Sequence, residues 1–367
     1  MKYSIDTTST RNAYMQLYEQ LRTDIINSLY KYGDKLPSKR ILAEETLTSV
    51  ITVEHAYEIL RDEGYIESRE RSGYFVTYRK NDFVPIAENE IHNISSEYNH
   101  YPATEFPFSV LAKTMRNVIS KHGENILINS PNTGCADLRK AISNYLARSK
   151  GINVSYDQIV IGSGAEYLYG LIVQFLGRDK IYALENPSYE KICSVYTANG
   201  AECDLLKLGR DGILTSHLAK TKASVLHITP YRSFPSGITA SASKRNEYIK
   251  WATDRNAIII EDDFNSEFTV STKNEDTVFS LEPTHSVIYV NTFTKTIAPS
   301  MRIGYMVLPE KLVDPFFSKM GFYSCTVPVF EQYVLAELIS NGDFERHINR
   351  TRRKLRQIQN NQSLTKL

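Results

Sequence analysis

The stretch Asn291-Thr292-Phe293-Thr294-Lys295-Thr296-Ile297-Ala298-Pro299-Ser300-Met301-Arg302-Ile303-Gly304-Tyr305 decides how the rest of the sequence is read. It follows Ser286-Val287-Ile288-Tyr289-Val290, an apolar β-branched run that predicts a buried strand, so Lys295 falls in the loop just past a strand end. Sheets of α/β type place their chemistry there. A lysine flanked by the hydroxyls of Thr292, Thr294 and Thr296, with Arg302 beyond, suits one task. The amine can form a Schiff base with an aldehyde cofactor while the hydroxyls and the guanidinium hold its phosphate. Working outward, Ala257-Ile258-Ile259-Ile260 predicts a second buried strand and ends in Glu261-Asp262-Asp263. A carboxylate there can face a pyridine nitrogen and favour its protonated form, which pyridoxal phosphate needs as an electron sink. Asp262 is assigned that role. Taken singly, the lysine reads more readily as a solvated loop residue, and the three acids can be read as a solvated turn.

Glu261-Asp262-Asp263-Phe264-Asn265-Ser266-Glu267-Phe268, together with Phe293-Thr294-Lys295-Thr296-Ile297-Ala298-Pro299, resembles the MocR/GabR-type branch of the GntR regulators. That family joins a winged helix-turn-helix to a fold-type I aminotransferase-like domain, and the resemblance covers nearly all of the chain. It implies an α/β body on a mostly parallel sheet, with pyridoxal 5'-phosphate as cofactor. The implied partners are double-stranded DNA, a small amino acid or the cofactor itself as effector, and a second copy of the chain in a homodimer.

The totals leave room for this. The chain has 367 residues, enough for one large domain and a small one, and its 43 Lys+Arg against 42 Asp+Glu point to no particular partner. Four cysteines (Cys135, Cys193, Cys203, Cys325) without paired spacing suit a reducing compartment, and neither they nor the histidines form a metal-ligand pattern. No apolar run approaches the ~20 residues of a membrane span, and no leader is apparent, so a cytoplasmic location is expected.

Toward the N-terminus, Tyr14, Leu17, Leu21 and Ile25 predict an amphipathic helix ending near Tyr32-Gly33-Asp34. Pro37 and Ser38 open a second helix, and Val53, Ala56, Tyr57 and Leu60 mark a third that stops before Gly64. Two alternating strands follow around Tyr65 to Ser68 and Tyr74 to Thr77. Residues 1–78 therefore read as a winged helix-turn-helix. Gly33 to Arg40 and Glu63 to Ile66 resemble the GntR pattern closely. By that resemblance Ser38, Lys39 and Arg40 meet phosphates or bases, Ser49 and Thr52 enter the major groove, and Arg69, Ser72 and Gly73 form the wing. Residues 1–80 carry 12 basic and 12 acidic side chains, and Val50 stands where the family usually has arginine, so weaker or differently specified binding is expected.

Residues 79–91 are polar and aperiodic and read as a linker, and 92–342 as the cofactor-binding domain. Gln158 to Ile161 predicts a strand running into Gly162-Ser163-Gly164-Ala165-Glu166 at a helix start, where free backbone amides can hold a phosphate. Tyr167 and the missing Gly-Lys-Ser/Thr exclude dinucleotide and P-loop fingerprints. The family pattern places the amides of Gly164 and Ala165 on the cofactor phosphate and Tyr189 on its ring. Two positions depart: Phe264 stands where the family has a tyrosine that bonds the ring oxygen, and Arg232-Ser233 replaces its His-Gln pair. Residues 343–367 match the helix leading into a C-terminal subdomain that is expected to be largely absent, leaving that helix with apolar surface uncovered. Three functions stay open: a regulator whose DNA binding responds to ligand chemistry at Lys295, an aminotransferase of weak or no turnover with a DNA-binding head, and a shortened relative that only binds DNA.

Overall fold

The computed structural model describes residues 3–6, 11–70, 72–79, 106–269, 276–281 and 286–364, and they form an N-terminal unit and a larger C-terminal unit. In the first, three helices pack on a hairpin: α1 (Ala13–Ile26), α2 (Lys39–Thr46), α3 (Val50–Asp62), β1 (Ile66–Arg69) and β2 (Gly73–Val76). Leu17, Leu21 and Ile25 of α1 stand four residues apart on one helix face. They are buried against Leu42 of α2 and Val53, Ala56, Tyr57 and Leu60 of α3. The second and third helices each start on a serine cap: Ser38 Oγ accepts the Ile41 N–H at 3.3 Å and Ser49 Oγ accepts the Thr52 N–H at 3.1 Å.

The first helix stops earlier than its pattern predicts, at Ile26 instead of near Tyr32. The next apolar step, Leu29, is 62% exposed and finds no core to enter. The chain turns at Ser28 (φ 61°), and the Asp34 carboxylate takes the Lys31 N–H at 2.7 Å. The segment thus freed runs beside β2, with Leu36 N–H donating to Tyr74 O and Val76 N–H to Asp34 O, both at 2.9 Å.

In the C-terminal unit seven strands form one sheet: β3 (Ile159–Gly162), β4 (Ile181–Asn186), β5 (Glu202–Lys207), β6 (Val225–Ile228), β7 (Ile258–Asp262), β8 (Val287–Thr292) and β9 (Gly304–Val307). Their order is β3-β9-β8-β7-β6-β4-β5, parallel from β8 through β5, with β9 antiparallel between β8 and β3. The helices are α4 (Phe108–His122), α5 (Ala136–Lys150), α6 (Ala165–Leu176), α7 (Glu190–Ala198), α8 (Thr215–Lys220), α9 (Ala242–Arg255), α10 (Val278–Leu281), α11 (Glu310–Met320), α12 (Val329–Ser340) and α13 (Asp343–Leu364). One apolar cluster gathers α5, α9 and α12 with one set of strand side chains, and a second gathers α6, α7 and α11 with the alternate set. Because both faces are covered, β3 and β6 are buried at every position, which is why they read as unbroken apolar runs.

The last helix does not present its first turns to an empty side. Phe344 and Ile348 are buried in the cluster shared with α5 and α12, leaving Ile358 (45% exposed) as the outward apolar residue. Among the described residues no helix is long and apolar enough to cross a membrane.

Candidate functional site

Three chain segments meet at the carboxyl ends of the parallel strands: the turn after β3, the acids ending β7 and the loop after β8. Strand alternation gives the three acids different surroundings. Glu261 accepts the Val278 and Phe279 N–H groups at 2.8 and 2.7 Å at the start of α10, and burial, with Asp263 adding, pushes its carboxyl up to about 8. Asp263 lies on the α5 side, where Lys150 Nζ stands 3.0 Å away and the Tyr289 hydroxyl donates to it at 2.7 Å. Asp262 faces the other way, toward α6. The Tyr169 hydroxyl donates to its Oδ2, and His227 Nε2 lies 3.8 Å from the same oxygen. Its Oδ1 is buried without a hydrogen-bond partner.

A buried carboxylate oxygen held in place yet unsatisfied is costly unless a donor arrives. A protonated pyridine nitrogen is such a donor, so the residues present fit pyridoxal phosphate.

Lys295 lies in the loop after β8. Its Nζ donates to Asn265 Oδ1 at 2.9 Å and lies 4.0 Å from the centre of the Phe264 ring. Burial pushes the amine down to about 8; the Asp262 carboxylate opposes that shift and the Arg232 charge reinforces it. The Asn265 side chain also donates to Arg232 O at 3.0 Å, so one amide holds both segments.

The turn after β3 and the loop after β8 bring glycine and hydroxyls together. Gly164 (φ 95°) caps α6 in a conformation that favours glycine, leaving the first amides of that helix pointing outward at Ala165 and beyond. In register, Gly162 pairs with Gly304 and Gly304 with Thr292, which brings the turn and the threonines abreast. The Thr292 and Thr294 hydroxyls lie 2.9 Å apart, and Arg302 Nη2 reaches Glu166 Oε2 on the first turn of α6 at 2.9 Å. A Cβ at Gly304 would stand 3.2 Å from Gly164 Cα and 3.2 Å from Asn291 O. Gly304→Ala is therefore expected to displace the turn and weaken the phosphate grip about tenfold or more, at a cost of ~1–3 kcal/mol from overpacking. Titrating the variant with pyridoxal phosphate, with urea unfolding alongside, checks both figures.

Tyr189 caps α7, its ring in an edge contact with Phe234 at 6.2 Å. Ser233 has its hydroxyl committed elsewhere: it donates to Glu185 Oε2 at 2.5 Å, in a site whose burial pushes the Glu185 carboxyl up to about 7.

Several participants were not singled out in the sequence. Tyr169 and His227 sit in otherwise apolar runs, and a polar residue there is the signal that could have found them. Asn265 carried no signal of its own. Lys150 draws Asp263 and Glu267 together, with the Tyr145 hydroxyl and Asn291 Nδ2 also on Glu267 Oε1 at 3.2 and 3.3 Å. Burial alone would lower the Lys150 amine, but the two carboxylates outweigh it and hold it above its usual range.

In the N-terminal unit the residues expected to meet DNA lie at helix starts and on the hairpin. Ser38 and Ser49 are the caps described above, and the Ser49 and Thr52 hydroxyls lie 2.9 Å apart. Lys39 is paired with Glu54 of α3 at 2.5 Å, while Arg40 at the start of α2 is exposed. Arg69 pairs with Glu67 at 2.7 Å with its guanidinium 4.4 Å over the Phe75 ring. Ser72 N–H closes the hairpin turn onto Arg69 O, and Gly73 takes φ 107°.

A winged helix-turn-helix at the N-terminal end of the sequence, followed by a sheet whose strand ends bring lysine, acid and glycine turn together, defines a class: a DNA-binding head with an aminotransferase-type body. Comparison with known proteins agrees. Bacterial regulatory proteins of the gntR family match over residues 13–76, and aminotransferases of class I and II over residues 90–367. The HTH-type transcriptional regulator YdeL of Bacillus subtilis is 32% identical over 354 residues, covering 94% of this chain and 76% of its own length. The probable rhizopine catabolism regulatory protein MocR of Rhizobium meliloti is 29% identical over 369 residues, covering 93% of this chain and 74% of its own. Among solved structures, the kynurenine aminotransferase of Pyrococcus horikoshii, in complex with PMP, superposes with a TM-score of 0.62 at 26% identity. That match covers 68% of this chain and 64% of the enzyme's.

The chain belongs to the MocR/GabR-type GntR regulators. It is a DNA-binding transcriptional regulator whose body is an aminotransferase-like domain with pyridoxal 5'-phosphate as its cofactor.

Proposed function

We propose that Lys295 is the residue to which the cofactor becomes covalently attached, and that occupancy of this site by the cofactor or by a small amino acid sets how a homodimer holds its two DNA-binding heads. Asp262 holds the ring nitrogen's proton. The amides of Gly164 and Ala165, the hydroxyls of Thr292 and Thr294 and the Arg302 guanidinium hold the phosphate, and Tyr189 covers the ring. When bound, the cofactor supplies an aldehyde for amines and a ring that accepts electrons. The chain's own part is to orient it and to keep one amine ready. The observation that supports this most is the unsatisfied, buried Asp262 Oδ1 in the same site as a lysine whose amine is pushed down to about 8. A homodimer would place two heads on two half-sites, multiplying weak single contacts.

The sign of the pH dependence follows from the amine. Only the neutral form attacks an aldehyde, and a depressed value makes it more abundant near neutrality. At pH 7 roughly one Lys295 in ten is neutral, against about one in 2,500 for an unperturbed lysine. Attachment of added pyridoxal phosphate, followed as a new absorbance band, should therefore quicken about tenfold per pH unit below pH 8 and level off above it. A rate still climbing steeply beyond about pH 9.5 would match an ordinary lysine and sink the assignment. Regulation is read in the same samples as a change in the retardation of DNA when cofactor or amino acid is added; identical retardation in all of them would leave an aminotransferase reading, which keto-acid formation tests.

A further inference from the structure

The first turn of the recognition helix is apolar where it faces outward. Val53, Ala56, Tyr57 and Leu60 turn the inner face of α3 into the core, which leaves Val50 (41% exposed), Ile51 (63%) and Glu54 on the outer face of its first turn and a half. Leu47, at 79% exposure, closes the turn before the helix in a left-handed conformation (φ 53°). No cation stands among them. Lys39 is bound to Glu54 at 2.5 Å, the Ser49 and Thr52 hydroxyls are bonded to each other, and the exposed His55 ring one turn on lies in an edge contact with Tyr14.

Three exposed branched apolar side chains on one small surface are unusual for a solvated face and need an occupant. In a helix-turn-helix, the N-terminal residues of the second helix of the motif meet base edges in the major groove. The major groove offers one apolar group, the C5 methyl of thymine, and apolar side chains pair with it. We infer that Val50 and Ile51, with Leu47 beside them, read thymine methyl groups, so that this regulator selects A·T-rich half-sites where an arginine at the same place would select guanine. This rests on the reading of α3 as the helix that enters the groove. Val50 and Ile51 carry no polar group and Glu54 can only accept, so these three positions offer guanine no donor. Affinity then depends on methyl burial and on the phosphate contacts of Arg40 and the wing.

The test uses the full chain with pyridoxal phosphate and a library of randomised duplex DNA. Selected duplexes should share half-sites with thymine at two or more fixed positions. Replacing those thymines by uracil removes only the methyl groups, and binding should weaken about fourfold per methyl, on the order of tenfold for two. In Val50→Ala and Ile51→Ala the penalty for uracil should shrink toward none, while both variants keep the wild-type melting curve because the side chains lie outside the core. Selected half-sites built on fixed guanines, or equal binding of thymine and uracil duplexes, would overturn the inference while leaving the head a DNA reader. No enriched sequence at all would overturn both, and would return the patch to a protein partner.

Discussion

Lys295→Ala should abolish covalent capture of the cofactor altogether. Borohydride treatment of the wild-type protein with pyridoxal phosphate should fix the cofactor's mass on the peptide carrying Lys295, and the variant should show no such peptide and no corresponding absorbance band. The fold should hardly notice: the amine is partly exposed, its partners include Asn265 and the Phe264 ring, and removing a half-buried cation relieves a desolvation cost. A change in unfolding free energy within about 1 kcal/mol is expected. Retention of the absorbance band in the variant would show that another amine carries the cofactor, and the account of the site would have to be rebuilt around it.

The second large effect lies behind the site. Lys150→Met should cost ~3–5 kcal/mol, because it leaves Asp263 and Glu267 adjacent and out of water without the cation between them. Both carboxylates are 3% exposed, and Lys150 Nζ is the cation between them at 3.0 and 3.6 Å. Urea unfolding of the C-terminal unit gives the measurement. Adding Asp263→Asn and Glu267→Gln should recover part of the loss, since the remaining groups can then share hydrogen bonds with Tyr145, Tyr289 and Asn291. If Lys150→Met unfolds as the wild type does, the cluster is not holding the segment that carries Asp262, Phe264 and Asn265.

These two lysines show how differently residues announce themselves. Lys295 was legible because strand ends are legible: an apolar β-branched run, a loop with hydroxyls and a second run ending in acids are local patterns, and α/β sheets gather such ends on one side. The Gly-x-Gly turn was legible for the same reason. Lys150 was not, since nothing near it in sequence distinguishes it from a solvated lysine at a helix end, and its partner Asp263 is 113 residues away. The three consecutive acids were legible as a group and not as individuals until strand alternation sent Asp262 to one face and its neighbours to the other. The sequence shows Ser233 as a departure from the family's pattern; that its hydroxyl serves a buried glutamate is visible only in the fold. The end of the first helix was misplaced because apolar spacing continued to Leu29 while the core it would have entered had already ended.

The amino-acid sequence alone determined the two-part architecture, a lysine in the loop past one strand end, an acid at the end of another strand and valine in place of arginine at position 50. All of these are carried by residue type and local period, which need no knowledge of what lies across the fold. Tertiary structure decided which oxygen of Asp262 stays free, what lowers the Lys295 amine, which cation offsets Asp263 and Glu267, and which side chains of α3 are left facing outward. Each of those depends on burial and on charges brought together from distant parts of the chain, and a buried charge is governed by its neighbours in space.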